Sequence, residues 1–237
     1  MNEIYSFFEE YKSQLNVKVD EIFVRKFEKY AEVLIDWNKK INLTAITEPK
    51  EIAIKHFFDS LTIFNTVNIK ENAKVIDVGT GAGFPGVPMK IVKEDINLTL
   101  LDSLNKRLKF LKELSSELNI EVSLVHARAE EAALKENYRE KFDIAVSRAV
   151  APLNVLVEYC LPFVKVGGDF IAMKGSQGQD ELQCAQNAIK LLGGEIKKTE
   201  EFTLPDESRR TIIVINKISK TDKNYPRHGS KISKKPL

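Results

Sequence analysis

The strongest constraint on the fold is the loop Asp77-Val78-Gly79-Thr80-Gly81-Ala82-Gly83-Phe84-Pro85-Gly86, which follows the apolar, β-branched run Lys74–Val78 and precedes a helical stretch opening near Pro85. Three glycines at alternate positions reach backbone angles closed to other residues and leave main chain bare for a ligand. A strand, a glycine loop and a helix in that order make the first turn of a doubly wound sheet. The crevice beyond the carboxyl end of that strand is where such sheets take nucleotide-like ligands.

The chain downstream fits that frame. Residues 97–102, 122–125, 142–146 and 169–173 read as further strands. Helical stretches at 104–118, from Pro152 and at 180–192 separate or follow them. Residues 196–204 and 211–215 are joined by a polar turn, Pro205-Asp206-Glu207, too short for a crossover helix, so these last two strands are predicted to pair antiparallel. Residues 1–70 show no strand-like alternation. There Phe23, Phe27, Tyr30, Ala31, Leu34, Ile35 and Ile41 recur at helical spacing, and Pro49 suits the first turn of a following helix. The predicted organisation is a helical region at 1–70, a doubly wound α/β domain at 71–216 and a basic tail at 217–237.

The spacing of the loop selects the ligand. A dinucleotide fold uses G-x-G-x-x-G/A, and counting from Gly79 the third position of that motif is Phe84, whose ring would obstruct a pyrophosphate. The observed D-x-G-x-G-x-G resembles the first motif of S-adenosylmethionine-dependent methyltransferases, in which Gly79, Gly81 and Gly83 would cradle the amino-acid end of the cofactor. Asp102, at the end of the second strand, either accepts hydrogen bonds from both ribose hydroxyls or caps the following helix and pairs with Lys106-Arg107; beside the glycine loop the ribose reading is favoured. Ala129 and Glu130, after the third, either read the adenine edge with a backbone amide and a carboxylate or, for Glu130, only place a carboxylate at a helix start near its dipole. The fold class expected is α/β, a seven-stranded Rossmann-like class I S-adenosylmethionine-dependent methyltransferase with a helical N-terminal region.

The nucleophile is narrowed by what is missing. After the fourth strand the chain reads Ser147-Arg148-Ala149-Val150 rather than the D/N-P-P-Y/F loop used to methylate exocyclic amines. Cys160 and Cys184 lie within helical stretches and read as structural rather than as attackers of a pyrimidine ring. No His, Lys or Tyr stands out as a general base, which suits a target with a free lone pair such as guanine N-7. Arg148 is the candidate at the pocket rim, able to bind a carboxylate bidentately or to hold an RNA phosphate. His56 and Asp59, one turn apart, either face the pocket or serve the structure. Trp37, Phe57 and Phe58 read as core.

Charge points the same way. Residues 217–237 hold seven basic residues against one acid, giving +6 and leaving the rest of the chain at −4 within a net charge of +2. Such a tail either meets phosphates, through Arg227, Lys231, Lys234 and Lys235, or only aids solubility. No apolar run reaches membrane-spanning length and no signal peptide is visible. Two cysteines without C-x-x-C spacing and three scattered histidines form neither a zinc site nor a disulfide framework. A metal-free, cytoplasmic monomer is expected.

Several blocks taken together resemble one family from end to end. These are Trp37-Asn38, Ile41-Asn42-Leu43-Thr44, His56-Phe57-Phe58-Asp59-Ser60-Leu61, the glycine loop, Leu100-Leu101-Asp102-Ser103, Ser147-Arg148-Ala149 and Tyr225-Pro226-Arg227 with its lysine-rich ending. They are similar to the bacterial small-subunit ribosomal RNA guanine-N-7 methyltransferases, the RsmG or GidB family. That resemblance implies methyl transfer from S-adenosylmethionine to N-7 of one guanine in the decoding-region loop of 16S rRNA, on naked rRNA or the small subunit. By position it implies cofactor contacts at Gly79, Phe84, Ala129, Glu130 and Arg148.

Overall fold

Neighbouring residues of a strand point to opposite faces of its sheet, so a run that is apolar at every position must be covered on both sides. In the computed structural model, which describes residues 2–237, strand β1 (Lys74–Val78) shows this directly. Val75 joins the apolar cluster on one face, whereas Ile76 and Val78 join the cluster on the other. The remaining strands are β2 (Asn97–Asp102), β3 (Ser123–His126), β4 (Phe142–Arg148), β5 (Val164–Lys174), β6 (Gly194–Thr203) and β7 (Arg209–Lys217). Their order is β3-β2-β1-β4-β5-β7-β6. The pairs from β3 to β5 are parallel, and β7 runs antiparallel to both β5 and β6. The order reverses between β1 and β4, which opens a crevice at their carboxyl ends.

One face is covered by α1 (Asn2–Tyr11), α2 (Glu21–Asn38), a broken helix between residues 49 and 66, α6 (Gly86–Val92) and α7 (Asn105–Glu117). The broken helix consists of α3 (Pro49–Ile52), a π-helical turn Ala53–Phe58, α4 (Asp59–Leu61) and α5 (Ile63–Thr66). The other face is covered by α8 (Ala129–Ala132), α9 (Leu153–Cys160) and α10 (Gly178–Leu191). Asp20 caps α2, its carboxylate accepting from the amides of Ile22 and Phe23 at 3.1 Å each. Phe27, Tyr30, Phe57 and Phe58 are buried in the first cluster, as their spacing predicts, and Trp37 packs at its edge with its indole N–H on Glu113. The N-terminal helices therefore share one core with the sheet.

The basic tail differs from a free arm. Lys217 ends β7 with its side chain wholly buried, its ammonium donating to the Leu161 carbonyl and the Thr221 hydroxyl. Burial pushes that amine down to about 8. Arg139 forks onto the carbonyls of Thr221, Asp222 and Tyr225, at 2.9, 3.1 and 2.9 Å. Arg227 grips the buried carboxylate of Glu158, and a short helix, α11 (Gly229–Lys234), then buries Ile232. The segment is a strap fastened by polar contacts between distant positions, which local sequence does not reveal.

Candidate active site

The three glycines have two different jobs. All sit at positive φ, +71°, +62° and +94° for Gly79, Gly81 and Gly83. A β-carbon on Gly79 would lie 2.7 Å from Val150, and one on Gly83 would lie 2.6 Å from the Tyr30 hydroxyl and 2.8 Å from Val87. Those two glycines make room for protein. At Gly81 the nearest atom would be 4.0 Å away, so this residue alone presents bare main chain to open space. Helix α2 braces the loop from behind, because the Tyr30 hydroxyl donates to the Ala82 carbonyl at 2.5 Å.

That open space is a cleft of about 490 Å³ whose lining includes Gly79, Gly81, Phe84, Asp102, Ala129, Glu130 and Arg148. The structure thus gathers seven of the eight predicted cofactor residues; Gly83 stands behind the loop. Asp102 is buried. Its Oδ2 accepts from the Gly81 amide at 3.0 Å and from Arg107 at 3.2 Å, and its Oδ1 accepts from the Leu104 amide at 2.8 Å. One carboxylate thereby ties the glycine loop to the start of α7. Glu130 is also buried, closed over by Gly229 of the strap, where a β-carbon would collide with its carboxylate. These features suit S-adenosylmethionine: an uncrowded glycine for its amino-acid end and two buried carboxylates for its hydroxyl and amine groups.

Beneath the loop Asp77 is fully buried. Its Oδ2 accepts from the Thr80 hydroxyl at 2.7 Å and the Gly86 amide at 2.9 Å, while Oδ1 has no partner among the described residues. Burial raises this carboxyl to about 6, against the pull of those hydrogen bonds and of Arg148. An acid whose folded-state pKa exceeds its unfolded value of 3.8 binds more protons when folded, so stability falls as pH rises through that window. The cost at neutral pH is on the order of 3 kcal/mol. Asp77→Asn is therefore expected to melt higher than the unsubstituted protein at pH 7.5, the gap closing toward pH 4. Calorimetric melts across that range check it, and a gap independent of pH overturns it.

Arg148 forms the wall between the cleft and a second cavity. One Nη1 proton reaches the Lys55 carbonyl, in the π-helical turn, at 2.9 Å, and another reaches Asp59 Oδ2 at 2.8 Å. Arg210 holds the other Asp59 oxygen through Nε at 3.2 Å, so buried Asp59 is shared by two guanidinium groups. Phe84 is packed on three sides: Tyr30 stacks at 5.2 Å, His56 stacks at 4.5 Å and the Arg148 guanidinium lies 5.0 Å from its centroid. Burial first, and then Arg148, push His56 down to about 3, so its ring is neutral. Its Nδ1 faces Arg148 at 3.3 Å and its Nε2 meets the Thr44 hydroxyl at 2.9 Å. His56 and Asp59 both belong to this wall, joined through Arg148 rather than to each other. The second cavity, about 400 Å³, shares His56, Arg148 and Ala149 with the cleft and is lined further by Met173, Lys174, Glu181 and Arg210.

Other predicted residues lie apart. Lys231, Lys234 and Lys235 are exposed on the strap. Arg227, expected beside phosphates, is spent on Glu158 within the protein. Cys160 is wholly buried, which pushes its thiol well up and makes it inert, whereas Cys184 is exposed on α10 outside the cleft. Sequence reasoning did not find Tyr30, Thr44, Lys174, Glu181 or Arg210. Nothing in their spacing announces them, because each reaches the site from a different element.

The profile of the GidB family, described as rRNA small subunit methyltransferase G, matches residues 23–212. A ribosomal RNA small subunit methyltransferase G from Alkaliphilus metalliredigens is 52% identical over 226 residues, 94% of this chain and 95% of that one. Its counterpart from Acetivibrio thermocellus is 51% identical over 227 residues, 95% and 93% of the two chains. Among solved structures, TrmN from Thermus thermophilus (TM-score 0.53, 13% identity, 67% of this chain and 48% of that one) shares the fold. TYW2 from M. jannaschii in complex with AdoMet does so as well (TM-score 0.52, 12% identity, 63% and 71%).

Proposed function

The chain belongs to the rRNA small subunit methyltransferase G family, and from that premise we propose that it transfers a methyl group from S-adenosylmethionine to N-7 of one guanine in the decoding-region loop of bacterial 16S rRNA. The observation that carries this reading is the junction at Arg148, where a nucleoside-sized cleft adjoins a second cavity. When bound, S-adenosylmethionine supplies a methyl group made electrophilic by its sulfonium. The protein contributes the rest. Gly81 gives the amino-acid end close approach to main chain, Asp102 takes the ribose, and Ala129 with Glu130 takes the adenine. Phe84 and Arg148 form a dry wall that aligns the two reactants and keeps water out.

Guanine N-7 carries its own lone pair and needs no proton removed. The wall supports this reading, since neutral His56 has both ring nitrogens occupied and no other imidazole or cysteine lines the cleft among the described residues. We place the reaction in the cytoplasm, on a monomer, with no metal. Among the described residues no helix is long and apolar enough to cross a membrane. The test is mass-spectrometric mapping of 16S rRNA from cells lacking the gene, treated with protein and S-adenosylmethionine. One new 7-methylguanosine is expected; no methyl incorporation overturns the proposal.

The strap presents Lys231 and Lys234 of one short helix and Lys235 just past its end to solvent, and the reading assigns them to rRNA phosphates while Arg227 anchors the strap. Each phosphate neutralised releases counterions, so affinity falls with salt. Replacing all three lysines by alanine is expected to lower the slope of log affinity against log salt by about 2, with kcat at saturating RNA little changed. Filter binding of 16S rRNA over a salt series measures this, and an unchanged slope refutes the assignment.

A further inference from the structure

We propose that Glu181 and Lys174 read the Watson–Crick edge of the target guanine in the second cavity. This rests on the reaction proposed above and names the residues that select its base. The cavity stands over the carboxyl ends of β4 and β5 and shares Arg148, His56 and Ala149 with the cofactor cleft, so a base placed in it lies next to that cleft.

Two carboxylates line this cavity, and only one has an oxygen left without a partner among the described residues. Asp59 has each oxygen engaged by an arginine, Arg148 on one and Arg210 on the other. Glu181 is different. Its Oε2 accepts from the Leu153 amide at 2.7 Å and pairs with the Lys174 ammonium at 2.7 Å, whereas its Oε1 takes no hydrogen bond among the described residues. Lys174 is itself buried, and besides Glu181 it donates to the Ala151 carbonyl at 2.7 Å. An ammonium has three donors, so one remains. The cavity wall thus offers one free acceptor beside one free donor, both on groups held in place by their other bonds.

Guanine matches that pair. Its Watson–Crick edge sets the N1–H and N2–H donors beside the O6 acceptor, so the two lone pairs of the free Oε1 would take both N–H groups and the ammonium would take O6. Enzymes that act on an extruded base read it by this edge. Adenine presents an amine where guanine has O6 and a bare N1 where guanine has N1–H. Both would face groups of their own kind, and a site built around hydrogen bonds rejects such an analogue strongly. The edge that is read is also the one that methylation at N-7 leaves unaltered.

The test compares kcat/KM on a synthetic target-loop RNA carrying guanosine or inosine at the methylated position, since inosine lacks only the 2-amino group. The unsubstituted enzyme is expected to lose about tenfold or more on inosine. Glu181→Gln keeps an oxygen for the Leu153 amide and Lys174 and turns an amine toward the base. It is expected to lose about 100-fold on guanosine and to treat the two RNAs alike, with cofactor affinity by calorimetry unchanged. An active unsubstituted enzyme indifferent to the 2-amino group overturns this inference alone, whatever the variant does. So does a Glu181→Gln variant that preserves the preference for guanosine. An unsubstituted enzyme that methylates no rRNA overturns the underlying reaction and this inference with it.

Discussion

Gly81→Val is expected to fold and to lose at least about 100-fold in affinity for S-adenosylmethionine, a change of about 2.7 kcal/mol. The β-carbon at position 81 would meet nothing within the protein closer than 4.0 Å, so the new side chain projects into the cleft rather than into the core. Some stability is lost as well, because φ at this residue is +62° and a β-branched side chain tolerates that region poorly. The Gly81 amide donates to Asp102, so strain at the loop also disturbs the carboxylate assigned to the ribose. Titration calorimetry with S-adenosylmethionine, paired with a thermal melt, separates the two effects. Gly83→Val gives the contrasting outcome. There the side chain strikes the Tyr30 hydroxyl, Val87 and Leu111, so the melt should collapse before affinity can be read. A Gly81→Val protein with unaltered affinity would remove the loop from the cofactor site.

Arg227→Ala should be among the most damaging single changes to stability. Glu158 is wholly buried and takes the Arg227 guanidinium through Nε at 2.9 Å and Nη2 at 2.7 Å, with the Arg227 amide at 2.8 Å on the same carboxylate. Removing the cation leaves a buried anion held by one amide, at a cost of roughly 3–5 kcal/mol. The strap can limit that cost by detaching, which lets water reach Glu158. The expected result is then a lower melting temperature together with lost hydrogen-exchange protection over residues 221–235. Adding Glu158→Leu to Arg227→Ala should recover part of the melting temperature, since a buried ion pair replaced on both sides by apolar groups is often neutral. Unchanged protection of the strap in Arg227→Ala would show that the pair does not fasten it.

The two substitutions mark different depths of legibility. The loop could be read from the chain because glycine is the residue that most readily takes positive φ, and glycine is recognisable one residue at a time. The strap could not. Its basic residues look alike in sequence, yet Lys217 is wholly buried, Arg227 is paired with Glu158, and Lys231, Lys234 and Lys235 face solvent. The difference lies in which partners the fold brings within reach. The same holds at Arg148, whose place at the rim follows from the end of β4. Its partners Asp59 and Arg210 come from the broken helix and from the last strand.

Local chemistry alone determined that the chain alternates strands with helices, that it closes on an antiparallel pair, and that the turn after Val78 is open to a ligand. Hydrophobic periodicity and glycine spacing are properties of neighbouring residues, so they survive in the linear order. Only the tertiary structure decided which of the three glycines faces the cleft, which cations are already neutralised, and which carboxylate keeps an oxygen without a partner among the described residues. Each of these depends on distances between residues tens to more than a hundred positions apart, and burial gives those distances their energetic weight.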